Sequence, residues 1–341
     1  MKRRSLYIVL AMVLVFSMVL AACQTPAAPT EEPVVEPTAV PPTDVPVPTE
    51  VPPTAVPEGP KVGSAERPIK VLFVPSTDAE KIVAGGELLA ATLKETTGFE
   101  FVVSVPTSYA ATIEEMCAAP EETIGFIPAL GYVLASDLCG VDVALKAVRR
   151  GWDVYWAQVV VRRDSGIDSL DDLNGLKWAY PDPGSTSGYL AALPLFEEAG
   201  VVAGEELQAG GHPQVIRAVY NGEADFGTTF FSAPGKPEGE TPWAVGDDPD
   251  IPDDLVDSCA PTEDKKDIKC GDWLVLDARR NLAEELPDVV QQVMILTLSP
   301  AIPNDTLSFG PDFPEDVRQT IVEALLALAT NNPDGFKEAM A

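Results

Sequence analysis

Apolar and polar positions alternate between two periods along most of the chain. PIKVLFVP (Pro68–Pro75) is an apolar, β-branched run closed by prolines at both ends, the pattern of a buried strand. AEKIVAGGELLAATLKETTG then repeats its apolar positions at helical spacing and stops at Gly98. FEFVVSVP predicts a second strand, and TSYAATIEEMCAAP a second helix capped by Thr107 or Ser108. ETIGFIP and ALGYVLASDLCG repeat the pair once more. Strands and helices alternating at this length argue for an α/β fold, with mostly parallel sheet covered on both faces.

The pattern changes at WDVYWAQVVVRRDS, one long strand suited to crossing between lobes. LDDLNGLKWAYPDPGSTSGYLAALPLFEEAG reads as helix, strand, glycine-rich turn and helix. QAGGHPQVIRAVYNGEADFGTTF reads as loop, helix and short strand. Residues 232–272 are rich in Pro, Gly and Asp, as expected of an irregular insertion. VVQQVMILTLSPAIPND predicts a strand running into a proline-marked return, and PEDVRQTIVEALLALATNN a closing amphipathic helix. The chain thus leaves a first lobe near residue 157 and returns near residue 300. Two lobes are expected, 66–157 plus 301–341 and 158–300, with ligand in the cleft between them.

The first sixty residues change where this body is expected to work. Lys2, Arg3 and Arg4 precede an apolar run, Leu6 to Leu20, that breaks at LAAC. A basic start, a short apolar core and small residues are the pattern of a signal peptide, here 1–22. A cysteine at that place resembles a bacterial lipobox, which implies lipid on Cys23 and an extracytoplasmic protein anchored to the outer face of the membrane. Residues 23–65 are dominated by Pro, Thr, Val and Glu, and such a tract forms an extended tether rather than a core. The formal net charge of -30 argues against nucleic acid and against an anionic membrane surface as partners.

Beyond Cys23 lie Cys117, Cys139, Cys259 and Cys270, in two near pairs. Export makes Cys117–Cys139 and Cys259–Cys270 the expected disulfides, although four cysteines allow three pairings. There is no CxxC spacing and the only histidine is His212, so no metal and no cofactor are expected.

Candidate chemistry concentrates at PDPGSTSGYL. Ser185, Thr186 and Ser187 stand between Gly184 and Gly188 at the mouth of a helix. The first amides of a helix have no partner within it, and the helix dipole adds partial positive charge. Three hydroxyls there form a cradle for a tetrahedral oxyanion, whereas a single one would read as an ordinary cap. Ser76 and Thr77 follow the first strand, Tyr109 opens the second helix, and Ile127 and Pro128 end the third strand. His212 sits in GGHPQ before a helix. Asp225, Thr228 and Thr229 sit in EADFGTTF. Each of these, taken singly, suits a structural role as well as a ligand contact. Asp225 is instructive: a carboxylate beside a bound anion repels it unless a proton lies between them. Facing the ligand, Asp225 would accept from a protonated P–OH or a ligand amine and reject sulfate.

SYAATIEEM, PGSTSGYL and GGHPQVIRAVYNGEADFG together resemble the phosphate, phosphite and phosphonate substrate-binding proteins of ABC transporters, over most of the chain from Pro68 onward. The resemblance implies a two-lobe type II periplasmic-binding fold, an ABC permease as partner, a monomer, and a pocket lined by Tyr109, Ser185, Thr186, Ser187, His212 and Asp225. Aminoalkylphosphonate binders place a carboxylate after the histidine, where this chain has Pro213. An aromatic often found at the end of the third strand is Ile127 or Pro128 here. Both departures favour phosphite, phosphate or a small phosphonate. A sensory module reporting to a membrane receptor would use the same pocket. No nucleophile–base pair or metal constellation is apparent, so an enzyme is not expected.

Overall fold

The apolar run Ile69–Phe73 forms strand β1, and helix α1 (Ala79–Thr97) follows it. The Asp78 carboxylate starts α1 by accepting from the Glu80 amide, and Gly98, at φ 77°, ends it in the left-handed conformation open to glycine. The computed structural model describes residues 59–333 and residue 336. The expected signal peptide, Cys23 and most of the tether lie outside those residues. Among the described residues, no helix is long and apolar enough to cross a membrane.

The first sheet has the order β2-β1-β3-β14-β4, with β2 Phe101–Ser104, β3 Thr123–Ile127, β4 Asp142–Lys146 and β14 Thr306–Phe309. β2 and β3 flank β1 in parallel, while β14 enters antiparallel between β3 and β4. Helices α2 (Tyr109–Ala118) and α3 (Ala129–Cys139) cover one face, burying Ile113, Met116 and Ala135 against Leu72 and Ile127. Helix α1 and the closing helix, α6 (Glu315–Asn331), cover the other. A disulfide joins Cys117 of α2 to Cys139 of α3.

The second sheet has the order β12-β5-β8-β6-β7. Its strands are β5 Val154–Arg162, β6 Lys177–Tyr180, β7 Glu205–Gln208, β8 Phe226–Phe231 and β12 Val293–Leu298. β5 runs antiparallel to β8 and β12, whereas β6 is parallel to β7 and β8. Helices α4 (Ala192–Ala199) and α5 (His212–Tyr220) pack on it. β5 pairs with β8 from Trp156 onward, so the outward crossing spans 147–153, a few residues before the expected position. The return runs from Ser299 through β13 (Ile302–Pro303), which pairs with Val154 and Tyr155.

The insertion is less irregular than its composition suggests. It holds a small antiparallel sheet of β9 Cys259–Pro261, β10 Ile268–Cys270 and β11 Trp273–Val275, in which disulfide-bonded Cys259 and Cys270 stand opposite each other. Trp243 of the insertion packs edge-on against Trp152 and Trp156, with ring centroids 6.0 and 5.1 Å away. Fully buried Arg279 binds both carboxylate oxygens of Asp277 at 3.0 Å and Asp250 at 2.8 Å. Asp250 also receives Arg163 at 2.6 Å, which ties the insertion to the end of β5. A buried guanidinium is tolerated because its donors meet carboxylates and the Val293 carbonyl.

Candidate oxyanion-binding site

The turn after β6 is built by its neighbours. Gly188 lies so close to Pro181 that a Cβ would stand 2.2 Å from its ring, and a Cβ on Gly184 would stand 2.7 Å from Tyr109. The two glycines therefore let the turn pack against β6 and against α2. Asp182 accepts from the Gly184 amide at 2.7 Å. The Ser185 hydroxyl accepts from the Gly188 amide at 3.1 Å. Residues Thr186–Leu190 then form a wide turn, with Leu190 and Ala191 amides donating five residues back to Ser185 and Thr186 carbonyls. Such widened turns concentrate at functional sites. Here the Thr228 hydroxyl donates to the Gly188 carbonyl from beneath, and Trp178 Nε1 donates to Thr228 Oγ1 at 2.8 Å.

Ser185, Thr186 and Ser187 are all buried, and each meets a group from a different part of the fold. Ser185 Oγ lies 3.5 Å from His212 Nε2 and within hydrogen-bonding reach of the Tyr109 phenol. Thr186 Oγ1 accepts from the Leu130 amide at the start of α3, 3.1 Å away across the cleft. The Ser187 hydroxyl lies within reach of the Tyr155 phenol from β5. The His212 amide donates to the Ser76 carbonyl at 3.1 Å, a second bond between the lobes. Thr77 stands beside it, half-buried.

Burial pushes His212 down to about 4, partly countered by Asp305, so its ring is neutral at pH 7. Its Nδ1 is buried without a partner. Burial also raises the Tyr109 and Tyr155 phenols, and Asp305 raises both further. The site thus offers neutral hydroxyls, phenols and an imidazole, with one carboxylate acting on all three ring side chains.

That carboxylate is not Asp225. Asp225 precedes β8 and accepts from the Lys177 amide at 2.8 Å, which places it at the start of β6, the end opposite the hydroxyl triplet. Parallel pairing of β6 and β8 explains the error: a residue before β8 lies at the end of the sheet where β6 begins. Three more expected contacts are committed to other partners. Ile127 is fully buried in the core of the first lobe. Thr228 spends its hydroxyl on Gly188 and Trp178, and Thr229 accepts from Gln158 Nε2 at 2.8 Å. Tyr155 and Asp305 were missed. Asp305 lies on the return crossing, and a strand reading that treats crossings as connectors assigns it no side-chain role; Tyr155 is the second residue of β5, a strand read only as a link between lobes.

The chain matches, over residues 71–339, the family model described as ABC transporter, phosphonate, periplasmic substrate-binding protein. It belongs to that family. Its members are periplasmic substrate-binding proteins of ABC transporters. A phosphate-import protein, PhnD of Mycolicibacterium smegmatis, is 30% identical over 176 residues, which span 48% of this chain and 54% of that protein. The match therefore covers about half of that relative's length. PhnD1 of Prochlorococcus marinus, solved in complex with methylphosphonate, superposes with a TM-score of 0.58 at 16% identity, covering 80% of this chain and 88% of that one. A binding-protein component of an ABC phosphonate transporter from Pseudomonas aeruginosa gives 0.55 at 19% identity, over 75% and 73% of the two chains. The family member has the two-lobe type II periplasmic-binding fold expected of it.

Proposed function

We propose that this family member is a lipid-anchored protein that captures a small phosphorus oxyanion, phosphate, phosphite or a small phosphonate, between its lobes and delivers it to the permease. Cys23 would carry the lipid and the proline-rich tract would be the tether. One observation carries the ligand reading: Ser185, Thr186, Ser187, Tyr109, Tyr155 and His212 converge, and Asp305 acts on all three ring side chains, whereas Asp182 is held by the Gly184 amide within the turn. Neutral donors stabilise the ligand's charged oxygens. The carboxylate accepts from a P–OH and repels any oxyanion that brings no proton. The role first read into Asp225 belongs to Asp305. Pro213, buried in the first turn of α5, offers no carboxylate to a ligand amine, which argues against aminoalkylphosphonates.

The test is calorimetry with phosphate, phosphite, methylphosphonate and sulfate. Wild type binds the first three near neutrality and excludes sulfate. As pH rises past about 7, phosphite and methylphosphonate lose their last acidic proton and weaken, while phosphate keeps one and holds. Asp305→Asn admits sulfate; Asp225→Asn changes nothing in the selectivity. Sulfate binding as tightly as phosphate to wild type refutes this reading.

A further inference from the structure

Asp305 directly precedes Thr306, which pairs with Ile127 at the end of β3, three residues before the Leu130 amide that meets Thr186. Arg149 Nη2 donates to Asp305 Oδ2 at 2.7 Å. Arg149 lies on the outward crossing and Asp305 on the return, so the pair bridges the two segments that join the lobes. Both roots are fixed. Arg149 and Trp152 exchange backbone bonds of 2.8 and 2.9 Å across a two-residue turn, with Arg150 at φ 53° and Gly151 at φ 84°. Asn304 Nδ2 donates to the Ala147 and Trp152 carbonyls at 3.1 and 2.9 Å, and the Ala147 amide donates to the Asp305 carbonyl at 2.9 Å. Among the described residues Asp305 has no other ion-pair partner. The titratable groups on the elements around it include Tyr109 on α2, Tyr155 on β5 and His212 on α5, with Asp182 also acting on Tyr109, and the ion pair of Lys146, opposite Thr306, with Asp153, whose carbonyl accepts from the Asn304 amide.

We propose that Arg149 is a specificity-determining residue of this pocket: by neutralising and orienting Asp305 it lets the site hold a doubly charged phosphorus oxyanion as well as a singly charged one. This rests on the oxyanion reading of the site. Without the guanidinium, an uncompensated negative charge stands beside the ligand, and the repulsion grows with ligand charge. With it, one Asp305 oxygen is held by the cation and the other is free to accept a P–OH. Arg149 is half-exposed, so its effect falls on ligand charge rather than on folding.

The experiment measures binding of inorganic phosphate by wild type, Arg149→Gln, Arg149→Lys and Arg149→Gln combined with Asp305→Asn. Titrations run at pH about 5.5, where phosphate is mostly singly charged, and about 8.5, where it is doubly charged. His212 and both phenols stay neutral at each pH, so the ligand is what titrates. Arg149→Gln is expected to cost roughly tenfold in affinity at the higher pH and under about threefold at the lower, on the scale of one charge-assisted pair. Lysine restores most of the loss, and the glutamine costs nothing further once Asp305 is asparagine. Equal loss at both pH values, or failure of lysine to rescue, shows that Arg149 only braces the crossing and overturns the proposal. Wild type that binds phosphite but not phosphate overturns it too, while leaving the function standing. Wild type that binds no phosphorus oxyanion ends both.

Discussion

His212 titrates far from its ordinary range because the fold buries it. Its ring is buried with Nδ1 unpartnered, and protonation in place would strand a charge out of water. The unfolded chain takes up that proton near pH 6.5 and the folded one only near 4. Between those values the unfolded state binds more protons, so stability falls as the medium is acidified through that window. The full loss is about 3 kcal/mol at pH 4 and below, by linkage. Denaturant titrations of wild type from about pH 7 to 4 should show it, and His212→Gln should flatten the curve. At this scale the sequence was half legible. The hydroxyl triplet and Tyr109 announced themselves through helix starts, which are local signals. Asp305 did not, because nothing near Asn304–Asp305 reveals that Thr306 pairs with Ile127 at the end of β3. Asp225 misled for the same reason: strand ends are visible in a sequence, but which end faces the ligand depends on pairing direction.

Elements were read well where each carried its own period. β1, α1, β2, α2, β3 and α3 all follow from alternating runs with caps, and Ser108 does accept from the Ala111 amide at 3.1 Å. β4 and β7 were not foreseen. Each is short, β4 half-buried between exposed ends and β7 largely exposed with the glutamates and glutamine of EELQ, and each stands at a sheet edge that receives it. The insertion was expected to be irregular and stapled; its small sheet depends on Trp243 and Ile268 burying against Trp156 and Phe231, a long-range fact. What fixes it at its far end is Arg279. Arg279→Met leaves buried Asp277 without its guanidinium and Asp250 with Arg163 alone, and should destabilise the protein by about 3–5 kcal/mol. Chemical denaturation checks this, and adding Asp250→Asn and Asp277→Asn should recover part of the loss.

The molecule as a whole captures an anion, on the proposed reading, while carrying a formal charge of -30. Long-range repulsion then opposes the approach of the ligand, although the site itself is neutral donors and one compensated carboxylate. Salt screens charges beyond about 10 Å at 0.1 M. The association rate should therefore rise several-fold between about 0.01 and 0.15 M salt, the reverse of ordinary electrostatic steering. Stopped-flow binding at constant pH measures it, and a rate that falls with salt would mean a local positive field dominates. The two-lobe plan was legible from the breaks in strand–helix alternation, since a chain that leaves and re-enters a sheet must cross twice.

Trp152 and Trp156 flank the start of β5, and Trp243 leans on both. Three of the five tryptophans thus stand together where the lobes join. Indole emission responds to small changes in packing and polarity around the ring. Trp152 stands on the crossing and packs on Trp156 and Trp243, so rotation of one lobe against the other is expected to change its surroundings and to be read from intrinsic emission, with no attached dye.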